Sequence, residues 1–112
     1  MSNADFTESD WKLFRQKTAD WQEAYIAKLN RKYIEILNSD KLASEKFWEI
    51  EKRIRNDKKG AGVMLEMRRS AFISNILELL KENVIGLNDL EEFSDELKQT
   101  VNRLRTEAGN KE

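Results

Sequence analysis

Five carboxylates, Asp89, Glu91, Glu92, Asp95 and Glu96, crowd one short segment of the chain. Such a cluster could act as a general acid/base pair or hold a divalent cation, but either use needs two groups facing a cleft with separated pKa values. Consecutive acids on the outside of a helix more often form a solvated face that favours the helix N-terminus. A surface that docks a basic partner fits Glu91, Glu92, Asp95 and Glu96 better than catalysis does. A second group, Lys52, Arg53, Arg55, Lys58 and Lys59, could meet the phosphates of a nucleic acid. Glu51 and Asp57 punctuate that run, and cations near a helix C-terminus also simply complement the macrodipole. Third, Arg69 with Arg68 and Ser70 could recognise an anion between helices, although an arginine so placed more often forms a structural ion pair.

Other chemistries are closed by composition. The 112 residues include no histidine and no cysteine, which removes thiolate nucleophiles, Ser-His-Asp triads, zinc sites, disulfides and Glu-x-x-His di-iron bundles together. No catalytic residue, metal site or cofactor is expected. Charged residues make up 37% and apolar ones 39%, with no proline and four glycines, which points to an all-α chain of one domain. No apolar stretch approaches the ~20 residues of a spanning helix, and no secretory leader opens the sequence. A cytoplasmic location is expected. Net charge is -1, yet Lys28 to Lys59 carries ten basic against six acidic residues, while Glu82 to Glu96 has six acidic and no basic ones.

These groups must be positioned by helices. On a 3.6-residue wheel, Leu65, Phe72, Ile73, Ile76, Leu77, Leu79 and Leu80 cover a broad apolar arc, extended by Met64, Met67 and Ala71, so Val63 to Leu80 reads as a central helix contacted on several sides. Arg69 would project from the middle of that arc, where it needs an acidic partner, Glu51 as the first candidate and Glu66 as the local one, or must snorkel out along its stem. Upstream, Thr7 and Asp10 offer a helix start. Trp11, Phe14 and Thr18 share one side of a short first helix, where the two aromatics would close either this bundle or a dimer. Asp20 with Glu23 has capping-box spacing and predicts a new helix or a kink there. Trp21, Tyr25, Ile26, Leu29, Tyr33, Ile36 and Leu37 then give a core helix. Asn38-Ser39-Asp40 is a turn, and the next helix starts between Leu42 and Ser44, with Phe47, Ile50 and Ile54 as a narrow stripe and Trp48 beside it.

The two glycines of Lys58-Lys59-Gly60-Ala61-Gly62 would release φ for a C-cap. After the central helix, Asn83 to Leu87 is an apolar connector folded back over the end of the bundle. Asp89 with Glu91 predicts the start of a last helix, whose narrow seam of Leu90, Phe93, Leu97, Val101 and Leu104 places it on the surface. Joined to the central helix it could pass for a helix-turn-helix, but phosphates would repel its acidic leading end.

Four phrases carry a resemblance: Asp20-Trp21-Gln22-Glu23-Ala24-Tyr25, Phe47-Trp48-Glu49-Ile50-Glu51-Lys52-Arg53-Ile54, Glu66-Met67-Arg68-Arg69-Ser70, and Asp89 through Leu97. Over roughly Asp10 to Val101 the chain resembles a family of short helical proteins from Firmicutes that often bear a "multidrug transporter" label. The resemblance implies no activity, cofactor or catalytic residue, and the label conflicts with the lack of a spanning segment.

The expected architecture is a compact bundle of four longer helices plus a short N-terminal one. Residues 1–6 are expected to be disordered or a cloning remnant, 7–106 the domain, and 107–112 a frayed tail. The expected function is non-enzymatic: a protein-interaction or regulatory accessory module, bound to another protein or to a second copy of itself. The alternative is nucleic-acid association through the Lys52–Lys59 face. No membrane partner is expected.

Overall fold

The computed structural model describes residues 5–109, and the chain over that range is all-α. Thr7 opens α1 (Glu8–Leu37) through a reciprocal capping box. Its hydroxyl accepts from the Asp10 N–H at 3.1 Å, and the Asp10 carboxylate accepts from the Thr7 N–H at 2.9 Å. The helix then runs for 30 residues without interruption, so the short first helix and the break at Asp20 are both corrected. Asp20 has capping-box spacing but no free backbone N–H groups to cap. No glycine or proline lies between Glu8 and Leu37, and Trp21, packed against Phe14 and Phe93 at 6.1 and 6.3 Å, holds the helix against the domain through that point.

After a tight turn at Asn38 to Lys41, α2 (Ala43–Asp57) begins within the expected window. Contacts fix it antiparallel to the second half of α1. Lys46 Nζ donates to the Leu37 carbonyl near the turn, and the Tyr33 hydroxyl donates to Asp57 at the other end. Burial first, and then that bond to Asp57, pushes the Tyr33 hydroxyl up to about 12.

The chain next docks on the middle of α1. Gln22 Nε2 donates to the Ala61 carbonyl at 3.0 Å, the Ala61 N–H donates to Glu82 at 2.9 Å, and Gly62 lies against the Tyr25 ring. Neither Gly60 nor Gly62 has positive φ, which corrects the expected role of these glycines. At Gly62 the requirement is close approach: a Cβ there would come within 2.2 Å of the Tyr25 ring.

The largest correction concerns the central helix. Only Phe72–Lys81 is α-helical (α3), preceded by a 3₁₀ turn at Arg69–Ala71, and residues 64–68 are not helical. Geometry supplies the reason. Gly62 sits beside Tyr25 whereas Arg69 reaches Glu8 and Trp11, about fourteen residues or ~21 Å back along α1. Seven helical residues span only ~10 Å, but seven extended ones span ~23 Å. The segment must therefore be extended, and Met64 and Met67 are exposed on it.

Arg69 in consequence leaves the apolar arc. Its side chain is 58% exposed, pairs with Glu8 and lies 5.8 Å over the Trp11 ring. The expected buried pair with Glu51 or Glu66 does not form, because Glu51 binds Arg55 and Glu66 binds Arg68. An exposed pair plus one exposed cation–π contact contributes about 0.5–2 kcal/mol together. Arg69→Ala should therefore lower stability by no more than about 2 kcal/mol in a urea titration, and Arg68→Ala by less. A loss of several kcal/mol for Arg69→Ala would contradict this placement.

Asn83, with φ 60°, ends α3 in the left-handed region, and the Val84 and Ile85 N–H groups both donate to the Leu79 carbonyl. The connector folds back as expected and buries Ile85. Asp89 caps only a 3₁₀ turn, Leu87–Leu90, by accepting from the Gly86 N–H at 2.8 Å. The last helix, α4 (Asp95–Gly109), starts later than expected, and the Ser94 hydroxyl caps it by accepting from the Leu97 N–H. It lies on the surface with a narrow buried seam, as expected: Leu97, Thr100 and Val101 are enclosed, while most of its other described residues are exposed. It also extends past Thr106 to Gly109, while residues 110–112 of the expected frayed tail lie outside the described residues.

Phe6, Trp11, Phe14, Phe72, Ile76, Leu79, Leu90, Phe93, Leu97 and Val101 form one core, a head made by the first half of α1 with α3, the connector and α4. Trp11 and Phe14 thus close this molecule, the first of the two expected alternatives, and are not available as anchors of a dimer. Phe6, expected in a disordered N-terminus, packs edge-on against Phe72 at 4.7 Å, whereas residues 1–4 lie outside the described residues. The second half of α1 and all of α2 project from the head as an arm. The overall extents are 57 × 33 × 22 Å and the radius of gyration is 17.1 Å. A compact chain of this length would have about 13 Å.

Candidate protein-interaction face

The arm is a two-helix hairpin with little to cover it. Its seam is built from Leu29, Tyr33 and Ile36 of α1 against Ile50 and Asp57 of α2, but α2 contributes no buried side chain. On the α2 wheel, Phe47, Ile54 and Lys58 fall within about 40° of one another, on the flank of the seam that Ile50 and Asp57 face. With Leu37 and Ile50 they line an open groove of about 480 Å³, rimmed by Glu51 and Arg55. A second depression of about 220 Å³, lined by Ile26, Leu29, Asn30 and Val63 among others, shares Ile54 and Lys58 with it and continues it toward the head. Trp48 lies about 100° round the helix from Phe47 and meets it edge-on at 5.0 Å, widening the apolar surface.

Phe47 and Trp48 are 62% and 63% exposed, and Leu37, Leu42 and Ile34 are also exposed. Burying a side chain of this size contributes roughly 1.5–3 kcal/mol, so the isolated arm forgoes several such contributions. A contiguous apolar surface rimmed by charge marks a site of association rather than ordinary exposure. The groove holds no convergent set of polar groups around a deep cavity, so its geometry suits a rod-like apolar object better than a small polar ligand.

The basic residues do not gather into one face. Arg55 and Lys58 line the apolar groove, whereas Arg53, held near Glu49 at 3.9 Å, lines a separate depression with Lys32, Glu35 and Ile36 on the other side of the arm. Arg55 is engaged by Glu51 at 2.5 Å. Lys52, Lys58 and Lys59 are exposed and make no ion pair among the described residues.

The acidic residues Glu91, Glu92, Asp95 and Glu96 are exposed on the head, and Glu92 binds Lys17 at 3.2 Å. No group of carboxylates able to hold a metal ion occurs among the described residues. Nor is any helix among them long and apolar enough to cross a membrane. Glu82 is the carboxyl raised above its ordinary range, by burial first and by the adjacent Glu78 as well, but its Oε1 is occupied by the Ala61 N–H.

No family model, curated protein or solved structure matches the chain.

The residue pattern placed Leu37 on a core helix and Phe47, Ile50 and Ile54 on a narrow apolar stripe expected to face a neighbour. One signal pointed the other way: Phe47 and Trp48 are adjacent, and side chains 100° apart on a helix cannot both face a single neighbour.

Proposed function

We propose that this chain is a non-enzymatic, cytoplasmic protein-interaction module of the regulatory or accessory kind, in which the head anchors the arm and the arm binds a partner protein through its groove. The observation that carries this reading is α2, a helix with no buried residue that presents Phe47 and Trp48 to solvent. Nucleic-acid association through Lys52, Lys58 and Lys59 is the second reading, supported by the absence of ion pairs at these cations among the described residues. The spread of the basic residues around α2 weighs against it.

The test is affinity capture from native cytoplasm, with half of the sample treated with nuclease, using the parent chain and the double variant Phe47→Ser/Ile54→Ser. The variant is expected to keep its melting temperature within a few degrees, because exposed side chains contribute within about 0.5 kcal/mol. It is also expected to lose a protein that the parent recovers in both halves. Recovery that vanishes with nuclease would move the assignment to the basic residues, and undiminished recovery by the variant would remove the groove from it.

A further inference from the structure

We infer that α2 is a detachable cover of α1: residues 38–60 leave α1 and unfold as a unit while the head stays folded, so the arm alternates between a closed state and an open one. This goes beyond the reading of the arm as a protein-binding element and does not depend on it.

Little holds α2 in place. None of its own side chains is buried. Beyond Thr18, Leu29 is the one buried residue of α1; it lies outside the core of the head and lines the smaller depression of the arm with Ile54, Asp57 and Lys58 of α2 and with Val63. The pairs Glu49–Arg53 and Glu51–Arg55 are internal to α2, and no ion pair among the described residues joins it to α1. The hydrogen bonds between the two helices stand one at each end, Lys46 Nζ on the Leu37 carbonyl and the Tyr33 hydroxyl on Asp57. An element with so little buried apolar surface opens at a lower free energy than the whole molecule.

The head does not need α2. No residue from 38 to 60 enters its core. The chain is pinned just past α2, where the Ala61 N–H donates to Glu82, the Ala61 carbonyl accepts from Gln22 Nε2 and Gly62 packs on Tyr25. On the other side Leu37 ends an uninterrupted helix. Gln22 and Leu37 are about fifteen residues or ~22 Å apart along α1. The chain between the two anchors, about twenty-three residues, can span ~75 Å, so its release strains neither end. Away from α1 a helix of 15 residues is barely stable in water, so α2 melts rather than swings out whole. Opening abolishes the groove and bares Leu29, Tyr33 and Ile36, so a ligand of the groove draws the arm to its closed state and a ligand of the α1 stripe to its open one.

The test exploits a chain without cysteine. In the full chain, Leu29→Cys puts a thiol beneath α2 and Val101→Cys puts one in the enclosed core of the head, and the melting temperature of each is checked first. An aromatic disulfide reagent is expected to label Leu29→Cys at least a hundredfold faster than Val101→Cys. Adding Tyr33→Phe removes one of the two end bonds and should speed labelling of Leu29→Cys by about three- to tenfold, with the rate for Val101→Cys unchanged. Hydrogen exchange in the parent reads the same opening with no substitution at Leu29. Amides of α2 should exchange together, at least a hundredfold faster than those of α3, and Tyr33→Phe should widen the gap. Equal exchange in α2 and α3, or a Tyr33→Phe variant that accelerates both alike, would show that arm and head open only together and would overturn the inference. Fast exchange in α2 with Leu29→Cys labelled no faster than Val101→Cys would overturn it too, since α2 would then fray in place without uncovering α1.

Discussion

Phe72→Ala is expected to cost about 3–5 kcal/mol of unfolding free energy, the range for emptying a fully buried aromatic site. Phe72 is 0% exposed and joins three rings: Phe6 at 4.7 Å edge-on, Trp11 at 5.5 Å edge-on and Phe14 at 4.7 Å tilted. It stands at the first turn of α3, where the extended strap ends, so the cavity would open at the junction of strap, α1 and α3. Each aromatic contact adds ~0.5–1.5 kcal/mol beyond the area it buries. Phe72→Leu restores most of the volume and should cost about 1.5 kcal/mol, well below the alanine variant, so the two variants bracket the packing contribution. Urea titrations followed by far-ultraviolet circular dichroism give both numbers. A loss below about 1 kcal/mol for the alanine variant would mean that the head is not organised around this ring.

Asp10 carries the second-largest expected effect. It is 2% exposed, and its carboxylate joins two helix starts. It accepts from the Thr7 N–H at the beginning of α1, from the Ser94 N–H at 2.8 Å, and from the Ser94 hydroxyl, which in turn caps α4. Burial by itself would raise this carboxyl, but the hydrogen bonds from Ser94 and Thr7 outweigh burial and hold it below its ordinary value. Asp10→Asn keeps the shape but turns an amide N–H₂ toward one of the donors. It should cost about 2–3 kcal/mol near neutral pH, as for a charged acceptor removed from buried partners.

The sign of the pH dependence follows from the lowered folded-state value. The carboxylate's contribution is fully present above the unfolded-state value of about 3.9 and is lost as pH falls through the folded-state value. The gap between parent and Asp10→Asn should therefore stay level above about pH 5 and close as the pH is taken toward about 2. A gap that stays constant throughout would show that Asp10 is not ionised in the fold.

The arm shows why some of this was legible in the residues and some was not. Helix starts that depend on neighbouring residues were readable: the Thr7 and Asp10 cap, and the turn after Asn38 with α2 beginning at Ala43. Asp20 and Asp89 carry the same local signal and give different outcomes. One is absorbed into a continuous helix because Trp21 is held by Phe14 and Phe93, and the other caps only a 3₁₀ turn because Asp10 fixes Ser94 as the cap of α4. The apolar stripe of α2 was likewise readable as a stripe, but periodicity does not say whether a neighbour covers it.

What the sequence determined by itself was the class of the molecule. Without histidine, cysteine or proline, and with apolar residues at helical spacing, the chain could only be an all-α protein lacking whole classes of catalytic machinery. Tertiary structure decided which stripes became core and which became surface. It enclosed Trp11 and Phe14, left Phe47 and Trp48 open, and brought Arg69 out to Glu8. The physical reason is reach. After α2 the chain passes Tyr25 at Gly62 and must reach Trp11 within seven residues. It can do so only extended, so α3 and α4 close on the first half of α1 and leave the second half with α2 alone.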